Sequence, residues 1–252
     1  MKYIRYRHQG KNSYGILDGD TIREIAGGLF GDRIETGVSI ALNSVQLLWP
    51  CEPSKIMAVG LNYRSHISDR PIPKNPEFFF VPTSALLEPE GKIVLPADAR
   101  QVHYEGELVI VIGRETRRVT ASEANECIFG FTCGHDVSER GWQKNDLQWW
   151  RAKGCDTFSP MGPSIAKGFD WRRGRVETRV NGTVVQSGHF TELIYDPPAL
   201  VSFASQYLTL LPGDVIYTGT PGSTSELRPG DFVEVEIPGI GILRNSVVAG
   251  SA

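Results

Sequence analysis

Two glutamates stand one residue apart in His103-Tyr104-Glu105-Gly106-Glu107-Leu108-Val109-Ile110-Val111. Side chains alternate along a strand, so Glu105 and Glu107 share one face, their Cα atoms about 6.6 Å apart. Val109 and Val111 continue that face. Two carboxylates on an otherwise buried face repel each other and lose hydration unless something compensates them. A divalent cation is the simplest compensation, and Mg²⁺ accepts one or two carboxylates while keeping waters that a substrate can displace. The segment is equally compatible with a solvated strand end. A third acid, Asp136, follows Phe131-Thr132-Cys133-Gly134-His135 and precedes Val137-Ser138-Glu139-Arg140. It can complete a metal site, or it can simply cap a helix.

The elements that must position these acids are mostly strands. Residues 107–113 (ELVIVIG) read as a buried strand. Thr120 with Glu123 forms a capping box for a short helix that Gly130 is expected to end. Asn181-Gly182 and Asp18-Gly19 sit between alternating runs and signal hairpins. Asp196-Pro197 opens a helix with Leu200, Val201, Ala204, Tyr207 and Leu208 on one face. Two Pro-Gly-Asp turns follow, at 212–214 and 229–231. Glycine (27) and proline (16) make up about a sixth of the 252 residues, which disfavours a long helical bundle. The expected class is α+β with a β-rich core. The expected organisation is a small N-terminal β-rich domain at 1–52, a polar joint (CEPSK, 51–55), and a metal-binding catalytic domain at 53–252.

Net charge is −3, against the basic balance of proteins that coat nucleic acid or anionic membranes. Hydrophobic content of 40% with 22% charged residues argues against disorder. No run approaches the ~18 apolar residues of a membrane span. MKYIRYRHQGK lacks the apolar region of a signal peptide, so a cytoplasmic location is expected. Cys51, Cys127, Cys133 and Cys155 are scattered and read as free thiols.

Five motifs in order carry a resemblance. They are Val59-Gly60-Leu61-Asn62-Tyr63-Arg64-Ser65-His66, then Tyr104-Glu105-Gly106-Glu107, then Asp136 with Arg140 and Gln143. Lys153-Gly154-Cys155-Asp156-Thr157-Phe158-Ser159-Pro160 and Thr218-Gly219-Thr220-Pro221 follow. From about Met57 to Val247 the chain resembles the fumarylacetoacetate hydrolase family. The resemblance implies a mixed β-sandwich roll, a homodimer, and one Mg²⁺, Mn²⁺ or Ca²⁺ held by Glu105, Glu107 and Asp136. It implies substrate contacts from Arg140, Gln143 and Thr220, a catalytic Lys153, and a general-base pair of His66 with Asp69. Three features depart from the family pattern. Asp69 stands where smaller members carry Glu, Val81 stands where many carry Lys before Pro82, and Gly222-Ser223-Thr224-Ser225-Glu226 is poorer in glycine. Trp142, Trp149 and Trp150 are read as core or dimer packing, and His103 as supporting the acidic pair rather than ligating. His8, His135 and His189 are left unassigned.

The family's chemistry concerns 2-oxo acids and their enols. A metal chelating the 1-carboxylate and 2-oxygen lowers the cost of an enolate. The leading expectation is a divalent-metal-dependent isomerase, with decarboxylation as a related activity, acting on 2-oxo/2-hydroxy-dienoate dicarboxylic acids of aromatic-compound catabolism. The alternatives are an acylpyruvate or fumarylpyruvate C–C hydrolase, and a catalytically inactive metal- or ligand-binding relative.

Overall fold

The computed structural model describes residues 1–67 and 70–251. The N-terminal part carries β1 (Lys2–His8), β2 (Lys11–Asp18), β3 (Thr21–Ala26), β4 (Ile34–Ala41) and β5 (Gln46–Leu48). There follow β6 (Ile56–Gly60), α1 (Arg64–Ile67), β7 (Glu77–Val81), β8 (Leu86–Leu87), β9 (Lys92–Leu95), β10 (Val102–His103) and β11 (Gly106–Ile112). Next come α2 (Ala121–Cys127), β12 (Ile128–His135), β13 (Ser138–Glu139), α3 (Arg140–Asn145), α4 (Trp150–Gly154) and β14 (Ser159–Ala166). The chain closes with β15 (Arg175–Val180), β16 (Thr183–His189), α5 (Pro197–Tyr207), β17 (Val215–Tyr217), β18 (Phe232–Ile237) and β19 (Gly241–Ala249).

The principal sheet runs β4-β3-β2-β1-β14-β12-β11-β17-β6-β7. Lys2↔Ala166 and Tyr3↔Ile165 join the first strands to the rest of it. It is mixed: β11 is antiparallel to β12 and β17, whereas β17 is parallel to β6. A second sheet, β16-β15-β18-β19-β9, packs on it. The architecture is α+β and β-rich, as the sequence predicts.

Every residue of β11 is buried. Leu108, Ile110 and Ile112 enter a core shared with Val176, Val235, Ile237 and, from α5, Leu200 and Val201. Val109 and Val111 face a second core with Met161, Val215 and Tyr217. Burial on both faces is why this segment reads as a continuous apolar run rather than an alternating one.

Local signals were legible in places and displaced in others. The Asn181-Gly182 turn joins β15 to β16 with both residues at positive φ, the backbone a type I′ turn demands. The Asp18-Gly19 hairpin forms one residue later, with Gly19-Asp20 as the turn and Asp18 paired to Thr21. The Thr120/Glu123 capping box is present, but α2 ends at Cys127 and not at Gly130. Gly130 instead lies in β12 opposite Val111; sheet pairing outweighs the glycine stop signal. On α5, Leu200, Val201 and Ala204 are buried as expected, whereas Tyr207 is 71% exposed. All four cysteines are free.

Candidate active site

Glu105 and Glu107 flank Gly106 at the start of β11. One close approach accounts for the intervening glycine. A Cβ there would sit 2.0 Å from Thr178 Oγ1 on β15, so a larger residue would push the two sheets apart. The Gly106 N–H donates to Gln186 Oε1 at 3.1 Å, and its carbonyl accepts from Thr220 Oγ1 at 2.9 Å. The backbone carrying the acidic pair is therefore clamped from both sides.

The Thr218-Gly219-Thr220 loop tracks the same strand edge. Thr218 donates its N–H and hydroxyl to the Leu108 carbonyl. The Gly219 N–H donates to Glu107 Oε2 at 2.7 Å. Gly219 holds φ +99°, and a Cβ would press on Asn62, so both its backbone conformation and its close approach favour glycine. Asn62 in turn donates to the carbonyls of Thr218 and Tyr195. The Thr220 hydroxyl donates to Gly106 and accepts from Gln186 Nε2.

Asp136 follows β12, its N–H donating to the Glu105 carbonyl. The helix-cap alternative belongs to Glu139 instead, whose carboxylate accepts from Trp142 N–H at the start of α3. One carboxylate oxygen from each of Glu105, Glu107 and Asp136 lies within 4.8 Å of the others, and all three residues are buried. Lys153, buried on α4, donates to Glu105 Oε2 at 2.7 Å and Asp136 Oδ2 at 2.6 Å. Arg140 donates to Glu105 Oε1, to Gln143 Oε1 at 2.7 Å and to Thr224 Oγ1 at 2.9 Å.

The charge states follow from this packing. Burial opposes ionisation of Glu105, but Lys153, Arg140 and His66 outweigh it and hold the carboxyl well below the usual range. Glu107 receives far less compensation: burial, then Asp136 and Glu105, drive its pKa well above 4.5. Burial also pushes Asp136 up to about 6 against the pull of Lys153. Lys153 is raised, because Asp136 and Glu105 overcome the burial that opposes its charge. His135, unassigned from sequence, is buried and lowered by that burial to about 3, so it remains a neutral neighbour of the acids.

His66 sits on α1 with Nδ1 2.6 Å from the Gly222 carbonyl. A carbonyl only accepts, so Nδ1 carries the proton and Nε2 of the neutral ring holds the lone pair. Nε2 is 3.9 Å from Glu105 Oε1. Asp69, expected to orient this ring, lies outside the described residues. Val81 is buried at the end of β7, opposite Ile56.

These groups line one cavity of about 570 Å³, within the usual range for small-molecule sites. Glu105, Glu107, Asp136, Lys153, Arg140, Gln143, His66 and Thr220 all contribute. Thr224, Arg70 and Lys144, which no motif singles out, line it as well, as do Gly219 of the Thr-Gly-Thr-Pro loop and Trp149, expected to serve in packing. Trp149 does pack edge-on against Phe79, at 5.3 Å between centroids. Trp142 lies under the Arg151 guanidinium at 4.6 Å, and Trp150 is exposed. His103 also lines the cavity and meets Thr224 Oγ1 at 2.9 Å.

Residues 55–248 match the model of the fumarylacetoacetate hydrolase C-terminal domain. The chain belongs to the fumarylacetoacetate hydrolase family. Residues 1–50 match a second model, described as Rv2993c-like, N-terminal. Protein Rv2993c of Mycobacterium tuberculosis is 46% identical over 249 residues, 94% of each chain. A mitochondrial oxaloacetate tautomerase of Homo sapiens is 38% identical over 210 residues, 78% of this chain and 67% of that one. Among solved structures, a 5-carboxymethyl-2-hydroxymuconate delta-isomerase from Mycobacterium smegmatis superposes with TM-score 0.94 at 43% identity, covering 99% and 100% of the two chains. A Sphingobium maleylpyruvate hydrolase in complex with manganese(II) and pyruvate superposes at 0.84 with 29% identity, covering 100% of each.

The acidic cluster fits a divalent metal ion. Its three carboxylates are hard oxygen donors, the type Mg²⁺, Mn²⁺ and Ca²⁺ favour. Asp136 Oδ1 is buried and without a hydrogen-bond partner among the described residues, an acceptor that a cation would satisfy.

Proposed function

We propose that this protein is a divalent-metal-dependent isomerase of 2-oxo and 2-hydroxy dicarboxylic acids. The observation that carries the reading is the buried Glu105, Glu107 and Asp136 cluster, which Lys153 bridges inside a cavity that His66 also lines. The relatives named for a hydroxymuconate isomerase and an oxaloacetate tautomerase support it. Both names describe moving a proton within a 2-oxo or 2-hydroxy acid that carries more than one carboxylate.

Glu105, Glu107 and Asp136 would hold the cation, Mg²⁺ or Mn²⁺ in the first instance. When bound, it supplies Lewis-acid polarisation of the substrate's carboxylate and 2-oxygen. Arg140 and Gln143, joined on α3, orient the substrate. Lys153 offers ammonium protons beside the oxygen that gains charge. His66 Nε2 presents a lone pair to the cavity and takes the proton from the carbon adjacent to the 2-oxo group. The Gly222 carbonyl holds that tautomer in place, the service a carboxylate performs in a triad. Trp149 and Ile67 add apolar surface to the cavity lining.

The test is proton exchange at C3 of oxaloacetate in D₂O, followed by NMR with Mn²⁺ or Mg²⁺ and with EDTA, alongside a panel of 2-hydroxy-dienedioates. Metal-dependent exchange and enol–keto conversion are expected. Absence of exchange with metal present would defeat the proposal. A hydrolase is the second reading, favoured by the maleylpyruvate hydrolase neighbour and by a His66 lone pair that could activate water. Pyruvate release from an acylpyruvate outpacing C3 exchange would select it. Breakdown of aromatic compounds remains the expected setting for either activity.

A further inference from the structure

The cavity has two ends of opposite character. At its floor, Lys153 and Arg140 already answer Glu105 and Asp136 within hydrogen-bond distance. Its outer lining carries Arg70 and Lys144, both exposed. Among the described residues, the ion pairs of this cavity use Arg140 and Lys153, and neither Arg70 nor Lys144 takes part in one. Arg70 comes just after α1, its N–H anchored on the Ile67 carbonyl at 3.0 Å. Lys144 lies four residues beyond Arg140 on α3, so one helix face presents the inner and the outer cation in line.

The charges set what such a cavity accepts. Three floor carboxylates set against Lys153, Arg140 and a divalent ion leave one positive charge, which a single substrate carboxylate cancels. Arg70 and Lys144 then remain as two cations at the mouth with nothing in the floor to neutralise them. A monocarboxylic 2-oxo acid would leave this outer charge unused. A guanidinium and an ammonium lining the same cavity suit a second carboxylate, with the arginine fork able to take both oxygens.

We propose that Arg70 and Lys144 form a second anionic subsite that holds the distal carboxylate of a 2-oxo dicarboxylic acid and selects it over a monocarboxylic acid of equal length. The inference rests on the proposed function, because it places the substrate's 2-oxo end at the acidic floor.

The experiment is calorimetric binding to the Mn²⁺-loaded protein of two six-carbon acids, 2-oxoadipate and 2-oxohexanoate, which differ only in the distal carboxylate. Binding, unlike turnover, reads the subsite without asking which reaction follows. The wild type should favour 2-oxoadipate by about tenfold or more, the scale of charge-assisted contacts at a partly exposed site. Arg70→Gln with Lys144→Gln should bring the two affinities within about twofold by weakening the dicarboxylate alone. Arg70→Lys should keep part of the preference. The preference should shrink as salt rises. Both residues are exposed, so an unchanged melting curve will show that the variants fold. Equal binding of the two acids by the wild type, or a preference that survives in the double variant, overturns the subsite and leaves the proposed function standing. Failure of both acids to bind overturns the subsite and the proposed function together.

Discussion

Glu107→Gln tests the metal centre through two effects of opposite sign. The Glu107 carboxyl is buried, and its Oε2 accepts the Gly219 N–H at 2.7 Å. An amide oxygen can keep that bond while removing a charge that burial, Asp136 and Glu105 all disfavour. In the metal-free protein the folded-state pKa lies above the ordinary 4.5. The group's contribution to stability is therefore full below about pH 4.5 and is lost as pH rises through the raised folded value. Each pH unit in that window costs about 1.4 kcal/mol. Removing the acid should return on the order of 1–3 kcal/mol at neutral pH. A chain of this length gains about 2–4 °C in Tm per kcal/mol, so the variant should melt about 2–10 °C higher in EDTA. A metal at a hundred times its Kd stabilises the wild type by about 2.7 kcal/mol, or roughly 5–10 °C. The variant, lacking one of three carboxylates, should lose most of that gain. Scanning calorimetry in EDTA and then across a Mn²⁺ titration reads both quantities. A variant that melts below the wild type in EDTA refutes the electrostatic argument, and one that keeps the full metal-induced shift refutes the ligand assignment.

Three further outcomes are expected. Lys153→Met should lower isomerase turnover more than His66→Ala, with losses of about 10²–10⁴-fold for proton-transfer groups; the opposite ranking in steady-state kinetics favours hydrolysis. Asp214, fully buried, accepts from Ser54 N–H and Oγ, Lys55 N–H and Nζ, and Leu211 N–H. Asp214→Ala strands those donors and should cost about 3–5 kcal/mol, a fall in Tm of roughly 10 °C or more by calorimetry, and a fall under 2–3 °C would contradict the assignment. We also expect a homodimer in sedimentation at micromolar concentration, weakened by Leu147→Asp with Trp150→Asp. These two side chains are 95% and 69% exposed in the α3–α4 region and offer an apolar interface; a monomeric wild type at that concentration would contradict this.

What the sequence disclosed was what depends on neighbours along the chain. The Asn181-Gly182 turn, the Thr120 capping box and the buried run of β11 each need only a few residues to declare themselves. The Glu105-Gly106-Glu107 pair was visible as an oddity, two acids entering an apolar strand. The reason for its central glycine was not visible, because Thr178 lies more than seventy residues away on the other sheet. Asp214 looked like one more residue of a Pro-Gly-Asp turn, yet it ties Ser54 and Lys55 to Leu211. Arg70, Lys144 and Trp149 carry no local signal at all. They meet only because α1, α3 and the residues before α4 converge on the same cavity. Gly130 shows the reverse error: a strong local stop signal yielded to the pairing of β12 with β11.

The placement of Lys153 explains how three acids can be stored in one buried pocket. Its ammonium bonds Glu105 Oε2 and Asp136 Oδ2 but not Glu107, and Glu107 is the acid driven furthest toward its neutral form. Lys153 and Arg140 thus hold Glu105 in its charged form, while burial and the neighbouring acids raise the Glu107 pKa. Among the described residues Asp136 Oδ1 has no hydrogen-bond partner, and the raised Glu107 pKa marks a carboxylate that an added positive charge would stabilise. Arginine could not replace Lys153 in this position. A guanidinium would hold its proton throughout, and its fork would fix both carboxylates in a single plane. A lysine is a point donor that can give up one carboxylate, turn toward a substrate oxygen, and return. The same residue therefore serves as counter-ion in the resting protein and as proton donor in the proposed reaction.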